Sequence, residues 1–187
     1  MKKVILFLIL LFPICTFALS KDKVSLDKCV DGDTATFIRN KEKIKVRFIG
    51  IDSPESVKQN EEPEPYGKEA SNYTCRKLKN ADKITLEYEQ KSDKTDKYGR
   101  VLAYVFVDGK LLEEYIVKNG YAEVKYIKKD YKYYDKLNNA ELLAIKNKKG
   151  IYSDKEYYEE EIEEDFVKMI KKYCKKLLSN ILNDFFK

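Results

Sequence analysis

A chain of 187 residues with 43% apolar and 13% aromatic content has material for one packed domain plus appendages; it is too short for two independent cores and too apolar for global disorder. With 0 His, it excludes a histidine general base, a histidine metal ligand and a Ser-His-Asp triad, so acid–base chemistry falls to carboxylates, Lys, Tyr or metal-bound water, and any metal site would be oxygen-rich and suited to calcium, magnesium or manganese. The net charge of +5 fits a polyanionic partner without requiring one, while the use of Arg39, Arg47, Arg76 and Arg100 amid so many lysines suggests planar, bidentate contacts for some of them.

The first twenty residues read as an export signal. Lys2 and Lys3 precede the apolar run Val4 to Phe12, and Thr16, Ala18 and Ser20 supply small residues for cleavage. The run is short for spanning a bilayer, although an uncleaved anchor is the alternative. Cys15 suggests lipid attachment, but Ile14 before it is a poor match for such a site. Beyond the leader Cys29, Cys75 and Cys174 remain; they permit one disulfide and a free thiol, or no bridge, and the sequence does not choose the pair.

From Val24 to Val107 the chain reads mainly as strands. Lys23 to Leu26 alternates, Asp31-Gly32-Asp33 is a hairpin turn signal, and Thr34 to Ile38 and Ile44 to Ile51 continue as strands until Ser53-Pro54 interrupts. An acidic loop, Ser56 to Pro65, leads to a helix over Lys68 to Asn80 with Ala70, Tyr73, Thr74 and Leu78 on one face. Strands follow at Ile84 to Tyr88 and Val101 to Val107, then a turn at Asp108-Gly109. Helices are expected over Leu111 to Asn119, stopping at Gly120, and over Tyr131 to Lys149, stopping at Gly150. This order predicts an α+β fold: a five-stranded OB-type barrel with three helices, over residues 21–153.

Residues 154–187 read as an added amphipathic helix. Glu156 to Glu164 lie at its start, Lys168 to Lys176 come later, and Ile162, Phe166, Ile170, Tyr173, Leu177, Ile181 and Phe185 recur every three or four positions. Such a stripe can dock on its own barrel, associate with a second copy or rest on a membrane surface.

Chemistry concentrates at strand ends. Asp33 and Asp52 could share a hard cation if their turns meet, and Arg47 and Arg100 could brace a phosphodiester as charge builds on its oxygens. Together with these stand the ordered motifs Val30-Asp31-Gly32-Asp33-Thr34, Val46 to Glu55 (VRFIGIDSPE), Pro65 to Ser71 (PYGKEAS), Thr95 to Arg100 (TDKYGR), Leu102-Ala103-Tyr104 and Asp108-Gly109-Lys110. In this set and order, over about Val24 to Asp154, the chain resembles the staphylococcal nuclease (thermonuclease) family. The resemblance implies calcium-dependent hydrolysis of DNA and RNA to 3′-phosphate products. It implies Asp33, Asp52 and the carbonyl of Ser53 as calcium ligands, Arg47 and Arg100 as a phosphate clamp, and Glu55 acting on the attacking water. It implies Lys97 and Tyr98 at a terminal phosphate and Tyr126 against a nucleoside.

Three features depart from the family's best-known member: Lys128 where that member has a second tyrosine, the acidic Glu61-Glu62-Pro63-Glu64 loop where it has a basic one, and the tail. The competing expectation is a non-catalytic barrel that binds single strands through lysines and aromatic platforms. Such a binder has no need of Arg47, Glu55 and Arg100 together with Asp33 and Asp52. A cell-surface protein acting through its tail is the third reading.

Overall fold

The computed structural model describes residues 21–56 and 62–153, with five helical positions of the tail: Val167, Lys168, Ile170, Lys171 and Lys175. The expected leader, part of the acidic loop and most of the expected tail helix lie outside the described residues. In chain order the elements are β1 (Asp22–Cys29), β2 (Thr34–Arg39), β3 (Glu42–Phe48), β4 (Ile51–Asp52), α1 (Gly67–Lys79), β5 (Ile84–Glu87), β6 (Val101–Val107), β7 (Lys110–Leu111), α2 (Leu112–Lys118), β8 (Glu123–Val124) and α3 (Tyr134–Lys146).

β1 pairs antiparallel with β2 and β5, β2 with β3, and β5 with β6. A parallel pairing of β3 with β6, Val46 opposite Val101 and Arg47 opposite Leu102, closes the ring. This is the expected five-stranded OB-type barrel. Ala35, Phe37, Val46 and Phe48 are buried, and each of the larger ones contributes about 1.5–3 kcal/mol by leaving water. β6 is buried continuously from Ala103 to Val107, the pattern of a strand covered on both faces. Leu112, Ile116 and Val117 of α2 and Leu137 and Ala140 of α3 extend the same core.

Two expected elements are shorter than the sequence suggests. β3 stops at Phe48, because Gly50 turns the chain at φ +84°; a Cβ there would lie 2.8 Å from Ile127 Cδ1 and 2.9 Å from Leu137 Cδ1. Only glycine combines that backbone with that space. Ile51 and Asp52 therefore leave the barrel as β4 and pair with β8. α3 begins at Tyr134 and not Tyr131, since Tyr133 is held outside it with its ring edge-on to Tyr104 at 4.7 Å and its hydroxyl on Glu87.

The cysteine question resolves as Cys29–Cys75, joining the end of β1 to α1 across a separation of 46 residues. In the chain-entropy view a loop of that size restrains the unfolded chain by roughly 4 kcal/mol. Cys174 lies outside the described residues.

Glu113, on α2, is fully buried in this core; Oε1 accepts the Val105 N–H at 2.9 Å and Oε2 has no partner. Burial pushes its carboxyl up to about 8 from an ordinary 4.5. The unfolded chain loses this proton near the ordinary value and the folded chain holds it longer. Stability from this group is therefore complete below about 4.5 and is lost as pH rises through about 8. Glu113→Gln removes that titration. In urea denaturation its midpoint should gain on the parent from pH 5 to about pH 8 and level off above that; a constant difference across the range contradicts the assignment.

Candidate active site

Three neighbouring segments converge at one end of the barrel: the Asp31–Asp33 turn between β1 and β2, the end of β3, and β4 with the residues after it. The turn is closed by the N–H groups of Val30 and Asp31 on the Thr34 carbonyl, and Phe48 N–H donates to the Asp33 carbonyl. Arg47 lies opposite Thr34 on one side and Leu102 on the other, so its side chain starts from the middle of the closed sheet.

Arg47 is only 9% exposed and Asp33 7%. The guanidinium reaches Asp33 Oδ2 through Nη1 at 3.1 Å and Asp52 Oδ1 through Nη2 at 2.7 Å. Nη1 also donates to the carbonyls of Ile51 (2.7 Å) and Phe48 (3.2 Å). Asp33 is bonded further: Oδ2 accepts the Ser53 N–H at 2.9 Å and Oδ1 the Thr34 hydroxyl at 2.8 Å. Asp33 and Asp52, expected as ligands of a hard metal cation, are brought together here by the guanidinium of Arg47. A buried charge cluster of this kind persists only when every member is bonded.

Gly32 is required by proximity: a Cβ would fall 2.6 Å from Ser53 Oγ and 3.0 Å from Ala70 Cβ. The turn is further tied to α1 by Thr74 Oγ1, which donates to the Gly32 carbonyl at 2.7 Å, beside the Cys29–Cys75 bridge. Glu55 is locked through its backbone, donating N–H to Glu64 Oε2 and accepting the Glu64 N–H, each at 3.0 Å. Its carboxyl is pushed up to about 7, first by a hydrogen bond with Asp31, then by burial and by the charges of Asp31, Asp33 and Glu64. A carboxyl poised near neutrality suits proton transfer with water.

The remaining expected residues frame this cluster. Arg100 sits one position before Val101, which pairs with Val46, so its backbone adjoins that of Arg47's strand. Its side chain is bound to Asp96, Nε to Oδ2 at 2.6 Å, and is not brought onto Asp33 or Asp52. Asp96 is held below its ordinary range because, against the opposing effect of burial, it accepts this bond and the N–H groups of Arg100 and Tyr98. Tyr98 is 72% exposed with Lys97 Nζ 5.0 Å and the Arg100 guanidinium 5.5 Å from its ring. Tyr126 is 78% exposed, just beyond β8, where Lys125 N–H donates to the Gly50 carbonyl.

Two residues enter that sequence reasoning passed over. Asp31 was visible only as a turn residue; its side chain is the chief partner of Glu55. Lys125 carried no signal, because only the β4–β8 pairing places its Nζ 3.6 Å from Asp52 Oδ2 and 2.9 Å from Glu123 Oε2.

The donor chemistry fits a hard cation. Asp31, Asp33, Asp52 and Glu55 outnumber Arg47 and Lys125, and Ser53 Oγ is buried against Gly32 without a hydrogen-bond partner. Among the described residues no three carboxylates already stand as a metal-ligating group. Carbonyl and water ligands are therefore needed to complete a coordination sphere.

The family model for staphylococcal nuclease homologues matches residues 45–154, more than half of the chain and including Arg47, Asp52, Ser53, Glu55 and Arg100. The chain belongs to the staphylococcal nuclease family. Thermonuclease from Staphylococcus hyicus is 40% identical to this family member over 127 residues, 68% of this chain and 73% of that protein. Endonuclease YncB from Bacillus subtilis is 42% identical over 135 residues, 72% of this chain and 63% of that protein. Thermonuclease from Staphylococcus intermedius is 37% identical over 125 residues, 67% and 73% of the two chains.

Arg47→Met in this nuclease homologue leaves Asp33 charged, buried and short of its cation, and should cost about 3–5 kcal/mol of stability. Adding Asp33→Asn should restore part of the loss. Urea denaturation of the single and double variants checks both; a loss below about 1 kcal/mol for the single variant contradicts the paired-cluster description.

Proposed function

We propose that this nuclease is an exported, calcium-dependent phosphodiesterase that cleaves DNA and RNA to products ending in 3′-phosphate. The observation that carries the reading is the buried Arg47 fork spanning Asp33 and Asp52, with Glu55 clasped by Glu64 on the segment that follows Asp52. A structural ion pair would be satisfied by one carboxylate; this cluster carries an excess of them next to a locked guanidinium. The residues around it have the types that phosphodiester hydrolysis requires: cationic forks for the equatorial oxygens and a carboxylate for water.

Arg47 binds the scissile phosphate while its Nη1 stays on the carbonyls of Phe48 and Ile51, its contacts to Asp33 and Asp52 giving way as those carboxylates take up the metal. Arg100 contributes its Nη groups, its Nε remaining on Asp96. Glu55 receives the proton of the attacking water as its oxygen bonds to phosphorus; the bond from phosphorus to the 5′-oxygen breaks, that oxygen takes a proton from solvent to leave as the 5′-hydroxyl, and the phosphate stays on the 3′ side. When bound by the carboxylates of Asp33 and Asp52 and the carbonyl of Ser53, a calcium ion supplies further positive charge to the phosphodiester oxygens. Lys97 and Tyr98 meet a terminal phosphate, and the exposed ring of Tyr126 packs on a nucleoside. Lys128, where the family's best-known member has a second tyrosine, makes that pocket more electrostatic. Export rests on the leader at residues 1–20, and the boundaries 21–153 and 154–187 follow from the sequence pattern.

Purified protein should degrade single-stranded DNA with calcium and stop with a chelator. Glu55→Ser should lower the rate by about 10²–10⁴ without weakening binding. The product ends should block polymerase extension until a phosphatase removes them. Undiminished cleavage with chelator, or ends that extend directly, contradicts the reading. Tight binding without cleavage would instead establish the non-catalytic barrel.

A further inference from the structure

Away from the carboxylate cluster, the C-terminal half of α1, α2 and the β6–β7 turn enclose a cleft of about 550 Å³. Arg76 and Lys77 enter it from α1, Lys110 from β7, and Tyr73 and Tyr115 wall it. Lys77 Nζ stands over both rings, 5.6 Å from the centroid of Tyr73 and 5.1 Å from that of Tyr115, and Arg76 is 6.0 Å from Tyr73. Tyr73 is fixed from behind by the ring of Tyr121 at 5.0 Å and by the Asn119 amide on its hydroxyl at 3.0 Å.

The three cations form no salt bridge among the described residues, in contrast to Lys125 and Lys132. The three cations face one lining carboxylate, that of Asp108, and the neighbouring acids have partners of their own. Asp108 accepts the Lys83 N–H at 2.9 Å, and Glu114 is paired with Lys136 at 2.7 Å. Basic residues in the last turn of α1 also suit the helix dipole. That accounts for neither Lys110, which comes from another element, nor the two tyrosines interleaved with the cations. Unpaired cations set among half-exposed aromatic rings are what a phosphate-linked, unpaired base requires.

We propose that this cleft is a second nucleic-acid subsite, which holds a nucleotide of the single strand that is being cleaved at Arg47. The proposal rests on the nuclease reading above and extends it to a place on the surface that reading does not use. Arg76 and Lys110 take the phosphate, and a base lies against Tyr73 or Tyr115. α1 links the two sites rigidly. Its first residue, Gly67, abuts Glu55, where a Cβ would lie 2.3 Å from the Glu55 carbonyl oxygen. Arg76, nine residues on, is roughly 14 Å further along the helix axis. That spacing falls within the strand of about 4–16 nucleotides that one barrel of this type covers. A duplex is excluded from the cleft because its bases are already stacked.

The test is Arg76→Ala/Lys110→Ala in the full chain; both positions are exposed at the surface, and near-ultraviolet circular dichroism confirms that the fold is kept. Fluorescence anisotropy with single-stranded DNA of about 30 nucleotides, in a Glu55→Ser background, reads binding directly. The double variant should bind about tenfold more weakly, and its log K against log salt slope should fall by about 1.4, two phosphate contacts at roughly 0.7 each. With Glu55 intact, KM for the long strand should rise at unchanged kcat, while cleavage of a trinucleotide stays as it was. Equal binding of the long strand by parent and variant overturns the proposal, as does an equal loss on the trinucleotide. If the parent cleaves nothing but the variant still loses affinity for the long strand, the nuclease reading fails and the subsite stands.

Discussion

The guanidinium of Arg47 is the point on which the functional end of this molecule is organised. It is bonded to the carbonyls of Phe48 and Ile51 and to the carboxylates of Asp33 and Asp52. Those four partners come from the β1–β2 turn, the end of β3 and β4. Without the cation, two aspartates, Asp33 buried and Asp52 half-buried, and two carbonyls would face one another, where like charges are costly. Barrel closure supplies the position: Arg47 can occupy the centre because β3 pairs with β2 on one side and with β6 on the other.

Around this fixed centre the supports grade from tightly bonded to exposed. The Asp31–Asp33 turn is held to α1 by the Thr74 hydroxyl and, one residue away on the helix, by the Cys29–Cys75 bridge. Ser53 is pressed against Gly32, and Glu55 is clasped by Glu64. Lys97, Tyr98 and Tyr126, by contrast, stand exposed on surface loops. A site that must fix a phosphorus atom yet accept any base is well served by that division: rigid charge at the centre, adaptable aromatic contact at the rim.

The barrel was legible in the sequence because strand alternation, turn residues and family motifs agreed over about 130 residues. Asp33, Asp52 and Arg47 were legible for the same reason. Three things were not. The end of β3 was misplaced because the apolar residues Phe48, Ile49 and Ile51 continue across Gly50, and only the packing of Ile127 and Leu137 against that glycine reveals the turn. The disulfide was undecidable because pairing depends on where α1 lands beside β1. Asp31 and Lys125 were missed because each acquires its role from contacts between segments distant in the chain, Asp31 with Glu55 and Lys125 with Asp52. The α1–α2 cleft belongs to the same class, being assembled from Arg76 and Lys110 on separate elements.

Arg47→Lys tests the central claim most directly, because it keeps the positive charge and removes the planar fork. Cleavage of single-stranded DNA in calcium should fall by about 10²–10³ while urea denaturation shows a folded chain, since one amine cannot hold the carbonyls of Phe48 and Ile51 and also present a fork to the phosphate. A folded variant that cleaves at nearly the parental rate would show that charge alone suffices and would remove the fork from the chemistry.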